Sequence, residues 1–167
     1  MKTSVLIALF CTGFLQSFAQ IETVRIGVNG LTCSQCTRSV EKKLRQLPFI
    51  QDVKMDLANT SGEIHLKSGI AFRPELIPRA IRDAGFSVRF VQLLLRNPET
   101  YPLSGSCMSV HGLNLQLAGA APSATSQPWV LQLQGPAFGG KKSTAAKSTC
   151  GDKALQVVAS LDEVPGS

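Results

Sequence analysis

From Thr23 to Leu93 the apolar residues change period in a fixed order, and that order admits few folds. Val24, Ile26 and Val28 alternate, as on a strand over Thr23 to Val28. Asn29-Gly30 breaks the run. Cys36, Val40, Leu44 and Leu47 then fall at helical spacing, predicting a helix over Ser34 to Leu47 with charged residues on its wet side. Pro48 stops it. Val53, Met55 and Leu57 alternate in a second strand, Ile50 to Leu57, and Asn59-Thr60-Ser61-Gly62 turns the chain. Glu63 to Lys67 reads as a third strand with Ile64 and Leu66 inward. Pro74 to Ala84 reads as a second helix burying Ile77, Ala80, Ile81 and Ala84, stopped by Gly85. Phe86 to Leu93 makes a fourth strand. One residue works against the pattern: Pro78 lacks the N–H that a helix interior needs, and it costs little only in a first turn.

Strand, helix, strand, strand, helix, strand closes into an antiparallel four-stranded sheet with both helices on one face. The expected class is therefore α+β, a ferredoxin-like βαββαβ sandwich over residues 20–93, followed by a small β-rich C-terminal region over 94–167. That second region is rich in Gly, Ser, Ala, Pro and Gln. Val110 to Leu117, Trp129 to Gln134 and Leu155 to Leu161 look like strands in it, with a mobile loop from Gly139 to Thr149.

Residues 1–19 read as an export signal: Lys2, an apolar run from Val5 to Phe14, and small residues at Ser17 and Ala19, with cleavage after Ala19. The run is too short for a bilayer span, which takes roughly 20 residues. A secreted or periplasmic location is expected, with no membrane span after signal removal. Cleavage removes Cys11 and leaves Cys33, Cys36, Cys107 and Cys150. Spacing alone does not choose their pairing. The two close cysteines look like a site and the two distant ones like a staple. Between Gln20 and Val91 there are 11 Lys and Arg against 7 Asp and Glu; after that, 5 against 4. Charges this scattered, on an exported chain, argue against nucleic acid as a partner.

Gly30-Leu31-Thr32-Cys33-Ser34-Gln35-Cys36 is the segment with clear chemistry. It joins the end of a strand to the first turn of a helix. Two thiols two residues apart can converge, and a helix N-terminus favours thiolate, lowering a thiol pKa from about 8.5 toward 7. Two sulfurs without a nearby carboxylate or imidazole suit copper(I). Zinc(II) in a closed structural site wants four ligands and would need help from elsewhere. Low coordination leaves the ion open to a partner's thiol, which is what transfer requires.

These residues resemble the heavy-metal-associated domain family, which includes copper chaperones and the metal-binding domains of copper-transporting ATPases. The family motif GMTCxxC stands here as GLTCSQC. Ser39-Val40-Glu41-Lys42-Lys43-Leu44 and Ala80-Ile81-Arg82-Asp83-Ala84-Gly85-Phe86-Ser87-Val88 also follow the family's pattern. The resemblance covers roughly Glu22 to Val91 and implies metal binding at Cys33 and Cys36, and nothing about residues after Leu93. It implies as transfer partner a copper-transporting ATPase or another metal-binding protein. Leu31 replaces the usual Met and can pack under the loop as Met does. Phe86 stands where the family places an aromatic or a lysine near the metal loop. Secretion also resembles the periplasmic mercury-binding proteins, so mercury(II) is an alternative to copper(I).

A thiol–disulfide oxidoreductase using the same cysteine pair is the alternative activity. Thr32, Ser34 and Gln35 lack the Trp and Pro that such sites place around their cysteines. Cys107 and Cys150 are expected to form a disulfide, in preference to a second metal site built from Cys107, Met108 and His111. His65 is expected on an exposed strand face, Trp129 as a core anchor of the back half, and Lys141-Lys142 in a solvated loop. No Ser/His/Asp set, carboxylate pair or phosphate-cradling loop is evident.

Overall fold

The computed structural model describes residues 21–96, 106–119, 122, 128–140, 150–151 and 153–159. The proposed signal, most of the Gly139–Thr149 loop and Lys141-Lys142 lie outside them. The front of the chain runs β1 (Ile21–Asn29), α1 (Ser34–Leu44), β2 (Ile50–Asp56), β3 (Ser61–Leu66), α2 (Leu76–Asp83) and β4 (Ser87–Leu95). These strands are ordered β2-β3-β1-β4 and are antiparallel throughout. Val24, Ile26 and Val28 are fully buried beneath α1 and α2, which contribute Val40, Leu44, Ile77, Ala80 and Ile81. The expected ferredoxin-like sandwich is present.

Local chemistry accounts for the departures. The first helix ends at Leu44, three residues before the expected stop. Arg45 closes it, donating to the Glu41 carboxylate at 2.7 Å, the Asp52 carboxylate at 2.6 Å and the Val53 carbonyl at 2.8 Å. These bonds pin the helix end to β2 and hold the Asp52 carboxyl below its usual range. A register shift between Ile50 and Asp52 turns both Ile50 and Val53 inward, and Leu57 falls past the strand end, 39% exposed. Pro78 is the third residue of α2, inside the first turn, where its missing N–H has no intrahelical partner to lose.

The back half is continuous with the front. β5 (Cys107–Val110), β6 (Leu113–Leu117), β7 (Trp129–Leu133) and β8 (Leu155–Ala159) extend the sheet to eight strands, β2-β3-β1-β4-β7-β8-β6-β5. β7 pairs antiparallel with β4, placing Leu131 opposite Leu93 and Trp129 opposite Leu95. A boundary at residue 93 therefore falls inside β4. All four of these side chains belong to one buried cluster that spans both halves. Trp129 is an anchor of that shared core, 6% exposed.

Val110 to Leu117, expected as one strand, is a hairpin. His111 and Gly112 both have positive φ, 53° and 74°, as a two-residue type I′ turn requires. The His-Gly pair lacks the Asn-Gly or Asp-Gly signature, so alternation across it read as unbroken.

After β7 a single 3₁₀ turn, Pro136–Phe138, lies against β4 and buries Phe138. Gly139 follows at φ 80°, and a Cβ there would run into the carbonyl oxygens of Arg89 and Val88. Gly139→Ala is expected to cost about 1–3 kcal/mol for the forced backbone conformation, with the steric conflict in addition. Chemical denaturation of parent and variant measures this. An unchanged midpoint would mean that the turn does not pack on β4.

Candidate metal centre

At its C-terminal end β1 meets the segment that carries the two close cysteines. Gly30 takes φ 85° and turns the chain out of the sheet. Leu31 is 3% exposed and anchors the loop from below, so the Leu for Met exchange keeps an apolar plug. Thr32 and Cys33 then emerge at the surface.

Cys33 is the N-cap of α1, with extended backbone at φ −148° and ψ 158°. Its carbonyl accepts from the Cys36 and Thr37 amides at 3.0 and 3.2 Å. Its sulfur accepts from the Cys36 N–H at 3.2 Å. Sulfur thus takes the place that a Ser or Asp oxygen commonly fills at a helix start. An amide donor and the positive end of the helix dipole both bear on it. Cys36, in the first turn, is half-buried and packs on the core. The Cα atoms are 5.2 Å apart and the sulfurs are in direct contact, the arrangement of a disulfide. Metal–thiolate bonds of about 2.3 Å keep two sulfurs on one ion within ~4.6 Å of each other. The backbone spacing is compatible with that condition: once a two-electron reductant has cleaved the disulfide to two thiols, only the side chains need to open.

Neighbouring turns brace this end of the molecule. Gly85, at φ 90°, ends α2 and delivers Phe86, half-buried, beside the loop; a Cβ on Gly30 would lie 3.7 Å from the Phe86 ring. Thr60 accepts from the Val28 amide at 2.9 Å. Asp56 accepts from the Asn59 side chain at 2.6 Å, and the Asn59 carbonyl accepts from Arg89 at 3.0 Å. The sequence reading missed this brace, although an Asp three residues before an Asn at a turn was available as its signal.

Among the described residues no group of three or more His, Cys, Asp or Glu could hold a metal. His65 is half-buried on β3 and pairs with Thr23, six residues along β1 from Asn29. Cys107 and Cys150 are 5.5 Å apart at Cα with their sulfurs in contact, again the geometry of a disulfide. Met108 is 3% exposed and buried in the core. With its sulfur against Cys150 and Met108 turned inward, Cys107 does not form a second metal site with His111.

Residues 25–87 match the family model described as heavy-metal-associated domain. Copper-transporting ATPase 1 of Rhizobium meliloti (strain 1021) is 40% identical over 63 residues, 38% of this chain and 7% of that protein. Copper-transporting ATPase HMA4 of Oryza sativa subsp. japonica is 32% identical over 72 residues, 43% of this chain and 7% of the relative. The chain thus spans a small fraction of the length of these relatives. Among solved structures, the putative copper-ion-binding protein from Bacillus anthracis str. Ames matches at 27% identity and a TM-score of 0.37, over 40% of this chain and 93% of its own.

Proposed function

We propose that this chain, whose residues 25–87 are a heavy-metal-associated domain, is an exported, non-enzymatic protein that captures copper(I) on Cys33 and Cys36 and passes it to another metal-binding protein. The observation that carries the reading is the pair of sulfurs meeting at the mouth of α1, one exposed and one half-buried. In the reduced chain the Cys36 amide and the helix dipole favour a thiolate at Cys33. Cys33 is the ligand of first contact and Cys36 the retained one. Two soft sulfur donors suit copper(I), and the open coordination sphere lets a partner thiol join before either sulfur leaves. The matched relatives are named for copper transport, which agrees with this ion. The shared segment is 7% of each of these relatives, so only binding and transfer, and not their whole activity, are taken from the likeness.

The test is a titration of anaerobically reduced protein with copper(I) against a competing chelator. One equivalent per chain is expected to be withheld from the chelator, and none after the pair is oxidised to its disulfide. Equal retention by the reduced and oxidised forms would reject Cys33 and Cys36 as the ligands.

A further inference from the structure

Of the two layers of the front half, the helices carry the net positive charge. α1 and α2 carry five cations, Arg38, Lys42, Lys43, Arg79 and Arg82, against two acids, Glu41 and Asp83. β1 to β4 carry three cations against four acids. Glu41 is already held by Arg45 at 2.7 Å. The ion pairs among the described residues involve Arg45 and Arg73, and none of the five helical cations takes part in one. Arg38 and Lys42 are exposed one turn apart on α1, and Arg79 and Arg82 are exposed three residues apart on α2. Val40, Leu44, Ile77, Ala80 and Ile81 face the sheet. The cationic stripes therefore lie on the outer surface of two helices packed side by side.

We propose that this helical surface docks on an anionic phospholipid membrane. Tight protein interfaces commonly centre on a few fully buried anchors, often aromatic. Among the described residues the exposed large hydrophobics are Leu57 and Ile70, and neither lies on a helix. Lipid phosphates ask for clustered cations and no apolar anchor, with each Lys or Arg near an anionic surface contributing on the order of fivefold in partition. Docking would lay α1 along the membrane with Cys33, its N-cap, on the rim of the contact. The proposal rests on charge placement and stands whether or not the cysteines bind metal.

The experiment is co-sedimentation of the full chain with vesicles of phosphatidylglycerol and phosphatidylcholine, with pure phosphatidylcholine vesicles and soluble polyglutamate as comparisons. Binding is expected on the mixed vesicles alone and should weaken in 1 M salt, where the Debye length falls to about 3 Å. Arg38→Gln, Arg79→Gln and Arg82→Gln together should lower partition at least about tenfold. Lys54→Gln, Lys67→Gln and Lys153→Gln remove the same charge from exposed positions off the helices and should change it less than about threefold. Circular dichroism confirms that both triple variants are folded. Equal losses from the two triples, equal binding to pure phosphatidylcholine, or no binding to any vesicle would overturn the proposal. Binding to polyglutamate as tight as to the mixed vesicles would also overturn it and assign the face to an acidic protein.

Discussion

Cys33→Ser is expected to lower copper(I) affinity by more than about a hundredfold, beyond what outer-sphere partners of a metal site cost when removed. Serine is close in size and can still cap α1 by accepting from the Cys36 amide, so the helix start should survive. What disappears is the soft donor. Cys36→Ser should cost at least as much, because that side chain is half-buried against the core and water replaces it less readily. Competition against a chelator, with near-ultraviolet circular dichroism as a check on folding, separates lost coordination from lost structure. Parent-like affinity in Cys33→Ser would remove the assignment. Cys107→Ser, whose sulfur faces Cys150, should leave affinity unchanged.

Leu131→Ala has the largest expected effect on stability, about 2–5 kcal/mol as for other buried Leu to Ala changes. Leu131 is fully buried and sits opposite Leu93 across the β4–β7 pairing. Leu93 in turn sits opposite Val24 on β1. A cavity at Leu131 therefore opens in the core that both halves share, and the chain should still unfold in one transition. Two separate transitions, with the front half as stable as in the parent, would show the halves to be independent. The same contacts predict that cutting the chain after Leu93 does more than remove an appendage. It shortens β4 by Leu94 and Leu95 and exposes the edge that β7 covers.

How much was legible in the sequence follows from which interactions are local. Period and spacing revealed β1, both helices and the cysteine loop because one face of each packs on a single neighbouring layer. Val24, Ile26, Val28, Val40 and Ile81 all lie where their spacing put them. The loop was legible for the same reason, since a helix start and a strand end are both marked by nearby residues. Bulges and unmarked turns were hidden. The shift at Ile50 breaks alternation without any Gly or Pro to signal it. His111 takes positive φ in a hairpin that ordinary turn chemistry does not mark. The joining of β7 to β4 depends on residues more than thirty positions apart, and no local pattern encodes such a pairing. The Arg89 to Asn59 bond that braces the site end is long-range in the same sense.

The central claim is that Cys33 and Cys36 together form the first coordination shell of one soft ion. X-ray absorption at the copper edge of the reduced, copper(I)-loaded chain counts those neighbours directly. Two sulfurs are predicted, with a third appearing when a small thiol is added. A shell of nitrogen and oxygen, or the same two sulfurs persisting in Cys33→Ser, would contradict it.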